Sequence, residues 1–225
     1  MSENISKLVE KFFGNTASSY DKVVKFTTFG KDKFWKQKII DRVKGDSVLD
    51  LACGTGVLTR LIAKKLPKSE IVGVDITPGY LEIARKNSSN IANISFIIQD
   101  AEKMELGRKF DCITSSYISK YCNAKILITQ CLIHLNPGGI IILHDFTCPK
   151  NRMIKVIWKS YFVVLRILGI IIPKWQDAFK ELPKLICSSD WCNNYISAMK
   201  ENKMQTQLQT HTLGCSAIIY AKLDS

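Results

Sequence analysis

Residues 49–56 read Leu-Asp-Leu-Ala-Cys-Gly-Thr-Gly. This apolar run admits a single acid, Asp50, and then places Gly54 and Gly56 on one turn. Glycines there tolerate positive φ and let the backbone come close to a ligand. A helix starting after such a turn turns its first amide groups and its positive end toward the same ligand. Two more acids stand in matching positions: Asp75 closes the apolar run EIVGVD, and Asp100 follows ISFII. An acid at the end of the strand after a glycine turn accepts hydrogen bonds from a ribose diol. Asp100 is suited to an adenine amino group.

Two cofactor classes compete for such a turn. A dinucleotide fingerprint needs a third glycine that brings helix against strand, and the run Gly54-Thr55-Gly56-Val57-Leu58-Thr59 lacks it. Asp50 would also repel a pyrophosphate. A ligand with a positive centre and an ammonium group tolerates that carboxylate, and S-adenosylmethionine carries both. Asp75 serves either class and decides nothing.

The elements around these residues follow from their periodicity. Short Val/Ile/Leu-rich runs at 48–52, 70–75, 94–98, 110–115 and 140–146 predict strands covered on both faces. Helices are expected over 56–66, stopped by Pro67, from Thr77-Pro78 to about 86, and over about 120–135. This alternation predicts an α/β, Rossmann-like, doubly wound sheet with right-handed crossovers. Residues 1–44 read as two basic helices joined by an aromatic-rich connection. Helices over about 151–170 and 189–202 precede the runs QTQLQTHT and CSAIIYAKL, a closing antiparallel pair that makes the sheet seven-stranded. The economical reading is one domain: a cap (1–44), a cofactor-binding core (45–150), substrate- or membrane-facing helices (151–205) and closing strands (206–225).

The chain has 225 residues, an apolar fraction of 46% and a formal net charge of +12. That size permits a full core, and the charge invites an anionic partner such as nucleic acid or a phospholipid surface. Eight cysteines (53, 112, 122, 131, 148, 187, 192, 215) form no CxxC pair. They are expected to be reduced and mostly buried, and no metal is expected. With no apolar leader in MSENISKLVEKFFGN, the expected location is cytoplasmic. Residues 153–172 are long enough to span a membrane, but Lys155, Lys159 and Arg166 interrupt them. As a helix, Arg152, Lys155, Lys159 and Arg166 share one side and Ile154, Ile157, Tyr161, Val164 and Leu168 the other. That pattern suits either peripheral contact with an anionic membrane or a solvated helix with its apolar side in the core.

LDLACGTG, VGVD, QDAEKM, FDCITSS and LNPGGIII, in this order, resemble the class I S-adenosylmethionine-dependent methyltransferases. SSYDKVVKFTTFGKDKFWK, HDFTCPKN, IWKSYFVVLRILG and ELPKLICSS narrow the resemblance to the ubiquinone/menaquinone biosynthesis C-methyltransferases, over about residues 12–222. The resemblance implies methyl transfer from S-adenosylmethionine, leaving S-adenosylhomocysteine. It implies cofactor contacts from Thr55, Asp75, Asp100, Ala101 and Ser116, which join Asp50, Gly54, Gly56 and Ile76 in the expected cofactor site. Tyr20 from the cap would close over the methionine end.

The acceptor side departs from that pattern. Where the family shows Arg-Asn after the fourth strand, this chain has Lys120-Tyr121, and Arg and Lys are not equivalent where a fork geometry matters. Asp145 stands for the family glutamate, and His144 beside it is new. With a quinol acceptor, Lys120 and Tyr121 would face the reacting ring, Lys120 stabilising a phenolate while Asp145 or His144 takes the proton. His134 and His211 read as structural or surface residues. The leading expectation is C-methylation of a prenylated quinol at a membrane. An O- or N-methyltransferase of another lipophilic or small acceptor, and a cofactor-binding membrane-surface protein without catalysis, stay open. Nucleic acid is disfavoured because SSYISKY lacks the Asn/Asp-Pro-Pro-aromatic loop of base-nitrogen methyltransferases. A homodimer is compatible with the sequence.

Overall fold

The computed structural model describes Val9 and residues 11–224. Its strands are β1 (Ser47–Leu51), β2 (Glu70–Asp75), β3 (Ile94–Ile98), β4 (Phe110–Ser116), β5 (Leu135–Phe146), β6 (Gln205–His211) and β7 (Ser216–Lys222). They form one sheet in the order β3-β2-β1-β4-β5-β7-β6. Strands β1 to β5 run parallel, and β7 pairs antiparallel with both β5 and β6. The seven-stranded, mostly parallel sheet expected from the alternation is the observed one. Strand order reverses between β1 and β4, so a crevice opens outside their carboxyl ends, where doubly wound sheets bind ligands.

Helices α1 (Tyr20–Thr27), α2 (Lys31–Arg42), α3 (Val57–Lys65), α4 (Pro78–Asn87), α5 (Ala124–Ile133), α6 (Arg152–Ile171), α7 (Gln176–Ser188) and α8 (Trp191–Glu201) surround the sheet. One core layer packs Leu127, Ile128, Trp191 and Tyr195 of α5 and α8 against Leu49, Val72 and Ile113. The layer on the other face joins Ile39, Ile40, Leu58 and Ile62 of α2 and α3 to Val48 and Ile71. A third core lies off the sheet. There Phe12, Tyr121, Trp158, Phe162, Trp175 and Phe179 pack with α6 and α7 as a roof.

Several elements differ from expectation for local reasons. The supposed aromatic connection within 1–44 is itself helical, as α1 and α2, and breaks only where Phe29 and Gly30 take positive φ of 50° and 72°. Part of the first expected helix (residues 1–8 and 10) lies outside the described residues. Helix α5 starts only at Ala124, because the Asn123 side chain accepts from the Lys125 and Ile126 amides and caps it. Strand β5 begins at Leu135, and the Asn-Pro-Gly-Gly segment forms an irregularity between the Phe110–Leu135 and Cys112–Ile140 pairs. Between the two helices expected in the tail the structure inserts α7, which carries Pro183 in its interior, a residue that argues against helix in a sequence. The expectation of reduced cysteines fails at one pair. Cys148, after β5, and Cys187, in the last turn of α7, form a disulfide and fasten the roof to the sheet.

Helix α6 carries two apolar faces. Trp158, Phe162, Leu165 and Gly169 recur at three and four residues and are buried. On the opposite side Met153, Ile157, Ile167 and Ile171 are 77%, 69%, 57% and 75% exposed. At 100° per residue, Arg152, Lys155, Lys159 and Arg166 fall in the strip between these two faces. The apolar side of this helix is therefore only partly core.

Candidate active site

The glycine turn is the first wall of the site. After β1, Gly54 and Gly56 take φ of 56° and 75°, a region that a side chain makes costly. The Gly54 amide donates to Asp75 Oδ2 at 2.8 Å, and the Thr77 amide to Asp75 Oδ1 at 2.8 Å. Asp75 thus ties the loops after β1 and β2 together. Burial raises its pKa, and these amide bonds oppose the rise. Each oxygen keeps a lone pair for a ligand hydroxyl.

A cavity of about 590 Å³ begins here, with Gly54, Asp75, Ile76, Asp100, Ala101 and Ser116 in its wall. Asp100 Oδ1 accepts the Glu102 amide at 2.9 Å, which fixes the loop after β3. The carboxylate–apolar alternation here fits an adenosyl group: Asp75 for the diol, Asp100 at the base, and Ile76 and Ala101 against the ring.

Three predicted cofactor residues do not line the cavity. Asp50 is 1% exposed and accepts from Thr59 Oγ1 at 2.7 Å and Thr114 Oγ1 at 3.1 Å. Burial pushes its carboxyl up to about 6, against the pull of those hydroxyls. Its charge can act on the cavity only through space. Thr55 Oγ1 donates to Asp21 Oδ1 at 2.6 Å, joining the glycine turn to α1. Gly56 makes room for its neighbours, since a Cβ there would lie 3.1 Å from Phe96 and 3.2 Å from Ala84.

The cap closes the site with rings. Tyr20 lines the cavity with its ring centroid 5.3 Å from Tyr80 and 6.0 Å from Trp175. Phe13 stands edge-on to Tyr20 and Tyr121 at 6.0 Å from each. The Tyr80 hydroxyl bonds Thr16 at 2.8 Å, and Trp175 Nε1 donates to Ser19 Oγ at 3.0 Å. Aromatic faces attract a cation, so this cluster suits a sulfonium.

Beyond the rings the wall turns apolar, through Val23, Ile154, Trp158, Phe162 and Leu182. At its floor Lys120 donates through Nζ to Asp145 Oδ1 at 2.7 Å and to the Tyr117 carbonyl at 2.9 Å. The Lys120 amide donates to Asp145 Oδ2 at 3.1 Å. Burial lowers the Lys120 pKa, and Asp145 opposes that shift. Lys120 and Tyr121 line the cavity, whereas Asp145 and His144 lie behind it. His144 is engaged on both nitrogens, by Ser116 Oγ at 2.8 Å and Ser216 Oγ at 2.9 Å. Burial first, then the charges of Lys36 and Lys120, hold it well below its ordinary pKa of 6.5. It is a neutral support for Ser116.

Sequence reasoning passed over Tyr117, which takes a φ of 79° at the end of β4. Its hydroxyl donates to Asp32 Oδ1 at 2.7 Å, and Asp32 pairs with Lys36. The i,i+4 spacing of Asp32 and Lys36 was the available signal for that pair. Tyr80, Asp21 and Trp175 carried no comparable signal, because their partners are distant in sequence.

A sequence model of the ubiE/COQ5 methyltransferase family matches residues 1–221. The chain is 31% identical over 195 residues to the ubiquinone/menaquinone biosynthesis C-methyltransferase UbiE of Francisella philomiragia, covering 82% of this chain and 78% of that protein. It is 28% identical over 191 residues to the protein of that name in Pseudomonas aeruginosa, covering 80% and 75%. Among solved structures, the plantazolicin methyltransferase BpumL in complex with a monoazolic desmethylPZN analog and SAH superposes with a TM-score of 0.63 at 15% identity, covering 99% of this chain and 98% of that one. The CurJ carbon methyltransferase superposes with a TM-score of 0.64 at 15% identity, covering 96% and 61%. At that identity the two structures bear on the fold alone.

Proposed function

The chain belongs to the ubiE/COQ5 methyltransferase family and is an S-adenosylmethionine-dependent methyltransferase, and we propose that it methylates a ring carbon of a lipophilic quinol of the demethylmenaquinol type. One observation carries this reading. A single cavity joins a carboxylate-lined end built on the sheet to an apolar, ring-lined end under a helical roof. The relatives bear names that specify C-methylation in quinone biosynthesis.

S-adenosylmethionine, when bound, supplies an electrophilic methyl on a sulfonium. The remaining work falls to the chain. Asp75 and Asp100 orient the nucleoside, Tyr20 and Tyr80 shield the sulfonium side, and the roof excludes water from the reacting centre. Two of the three Lys120 ammonium protons are held by Asp145 and the Tyr117 carbonyl. The third is available to a phenolate oxygen of the acceptor. Burial weakens the hold of Lys120 on its proton and Asp145 opposes that shift, so the ammonium stays beside the cavity to stabilise a phenolate.

The cavity opens on an apolar rim. Phe29, Ile157 and Leu213 line it and are 78%, 69% and 76% exposed. The exposed face of α6 continues this rim, with Arg152, Lys155, Lys159 and Arg166 beside it. Among the described residues no helix is long and apolar enough to cross a membrane. This rim and the +12 charge support peripheral docking on an anionic bilayer, from which a long-tailed acceptor enters sideways.

Methyl transfer from labelled S-adenosylmethionine to demethylmenaquinol in anionic vesicles tests both parts. Ring-methylated product supports the reading, whereas label on oxygen or in another lipid favours an O- or N-methyltransferase. Flotation with anionic vesicles that survives Ile157→Lys unchanged removes the docking surface.

A further inference from the structure

Of the eight cysteines, Cys187 alone is exposed. Its partner Cys148 is half-buried, and the six free thiols are buried or half-buried. The Cys148–Cys187 bond is therefore the sulfur that solvent reaches most easily, and thiol–disulfide exchange depends on such access.

Cys187 lines a groove of about 530 Å³ between α6 and α7. Lys159, Arg166 and Lys184 stand in its wall, and among the described residues no acid does. Arg166 Nη2 donates to the Lys180 carbonyl at 3.2 Å, which holds that charge between the two helices. Of the acids on α7, Asp177 pairs with Lys11 at 3.3 Å and, like Glu181, lies outside the groove. The carboxyl end of α7 opposes an anion here with about half a charge, and three cations outweigh it. A cleft lined by one sign of charge concentrates small ions of the other sign. The groove also borders the acceptor cavity: Trp158 and Phe162, with ring centroids 4.6 Å apart, stand in the walls of both.

We propose that this disulfide is an exchange site for anionic low-molecular-mass thiols, and that its opening loosens the roof over the acceptor cavity. The incoming thiolate attacks Cys187 Sγ, the S–S bond breaks, and Cys148 leaves as a thiolate that takes up a proton. A second thiolate attacks the mixed disulfide, forms the small-molecule disulfide and releases Cys187 as a thiolate, which is protonated in turn. Two small thiols are oxidised while the Cys148–Cys187 bond is reduced to two thiols. Helix α7 then keeps its polar ties to Lys11 and Arg166 but loses its bond to the end of β5. The effect on the acceptor rests on the methyltransferase reading, whereas the exchange does not.

Exchange is measured first, without an acceptor. Wild-type protein is opened with 2-mercaptoethanesulfonate or with neutral 2-mercaptoethanol, free thiols are trapped with iodoacetamide, and peptides are weighed by mass spectrometry. Compared per thiolate, the sulfonate should react about tenfold faster at low ionic strength, with its first adduct on Cys187. That advantage should vanish in about 1 M salt and in the Lys159→Gln/Lys184→Gln variant. Equal rates for the two thiols, or a first adduct on Cys148, overturn the proposal.

The opened protein, freed of small thiol by gel filtration under nitrogen, is then given S-adenosylmethionine and a short-prenyl 1,4-naphthoquinol. A loosened roof that is closed about a tenth of the time raises the acceptor KM about tenfold. Calorimetric affinity for S-adenosylhomocysteine should stay unchanged, and Cys187→Ser should show the raised KM with or without thiol. An unchanged KM overturns the proposal, as does an equal loss of S-adenosylhomocysteine affinity, which would mean that opening unfolds the chain. If wild type methylates no quinol, the quinol reading fails separately. Calorimetric binding of 1-naphthol, which thiols do not attack, then decides: about tenfold weaker binding to the opened protein sustains the loosened roof, and equal binding overturns it.

Discussion

The two ends of the cavity are built by opposite means. The cofactor end rests on backbone: glycines at positive φ, amides of Gly54 and Thr77 on Asp75, and loops leaving β1, β2 and β3. The acceptor end rests on side chains projected from α6, α7 and the cap, held by ring contacts and by one disulfide. A wall of backbone amides and fixed carboxylates recognises one molecule and changes little with sequence. A wall of packed side chains can be refitted to a new acceptor without disturbing the sheet. The fold thus separates what a methyltransferase must keep from what it can vary, and damage to one end should leave the other intact.

Removing the Cys148–Cys187 bond should have the largest effect. It closes a loop with a sequence separation of 39 residues, and the chain-entropy model assigns such a closure about 4 kcal/mol. Cys187→Ser should lower the urea midpoint read by Trp158 and Trp175 fluorescence and raise the acceptor KM. Affinity for S-adenosylhomocysteine should not move. If cofactor affinity falls equally, the two ends are not independent.

The same contrast explains what could be read from sequence. The positions of Asp75, Asp100 and the glycine turn were legible because each lies at or just past a strand end and near-continuous Val/Ile/Leu-rich runs mark those strands. The roof was not. Pro183 hides α7, and Cys148 and Cys187 carry no motif that announces a bond between distant elements. Helix α6 was half legible: its periodicity showed a basic side and an apolar side, but only packing distinguishes the buried Phe162 from the exposed Ile157. At the cofactor end itself, Asp50 was rightly marked as unusual and wrongly set in the wall. Residue type reveals that a carboxylate must be compensated, but not that Thr59 and Thr114 do the compensating.

Asp50 gives the next test. Its folded pKa of about 6 lies above the ordinary 3.8, so the folded state binds a proton that the unfolded chain has released. Between about pH 4 and pH 6 stability therefore falls as pH rises, and above pH 6 the full cost, about 3 kcal/mol, is present. Asp50→Asn should flatten that slope and raise the melting temperature at pH 7.5. The buried charge also favours a cationic ligand through space, so cofactor affinity should drop about tenfold in the same variant. A gain in stability together with a loss in binding would mark a functional site held at the expense of the fold.

Asp75→Asn tests the wall directly. It weakens the charge-assisted bonds to the Gly54 and Thr77 amides and to a ribose diol, which together should lower S-adenosylhomocysteine affinity about a hundredfold. Fluorescence quenching by 1,4-naphthoquinone should be unchanged. A shift in quinone binding of comparable size would erase the division between the ends.

The smallest effect belongs to the bond that crosses that division. Thr55 Oγ1 donates to Asp21 Oδ1 at 2.6 Å, so the glycine turn of the cofactor end is fastened to the cap over the acceptor end. Two roles for Thr55 predict different outcomes. As a cofactor contact, Thr55→Val should weaken cofactor binding while Asp21→Ala leaves it alone. As a latch, both substitutions should speed cofactor release by a similar factor of about three to five, because each removes one hydrogen bond worth about 1 kcal/mol. The double variant should then be no worse than either single one, since both break the same bond. Stopped-flow release of S-adenosylhomocysteine from the three variants separates these cases. Because Thr55 is 2% exposed and stands outside the cavity wall, the expected outcome is the non-additive one.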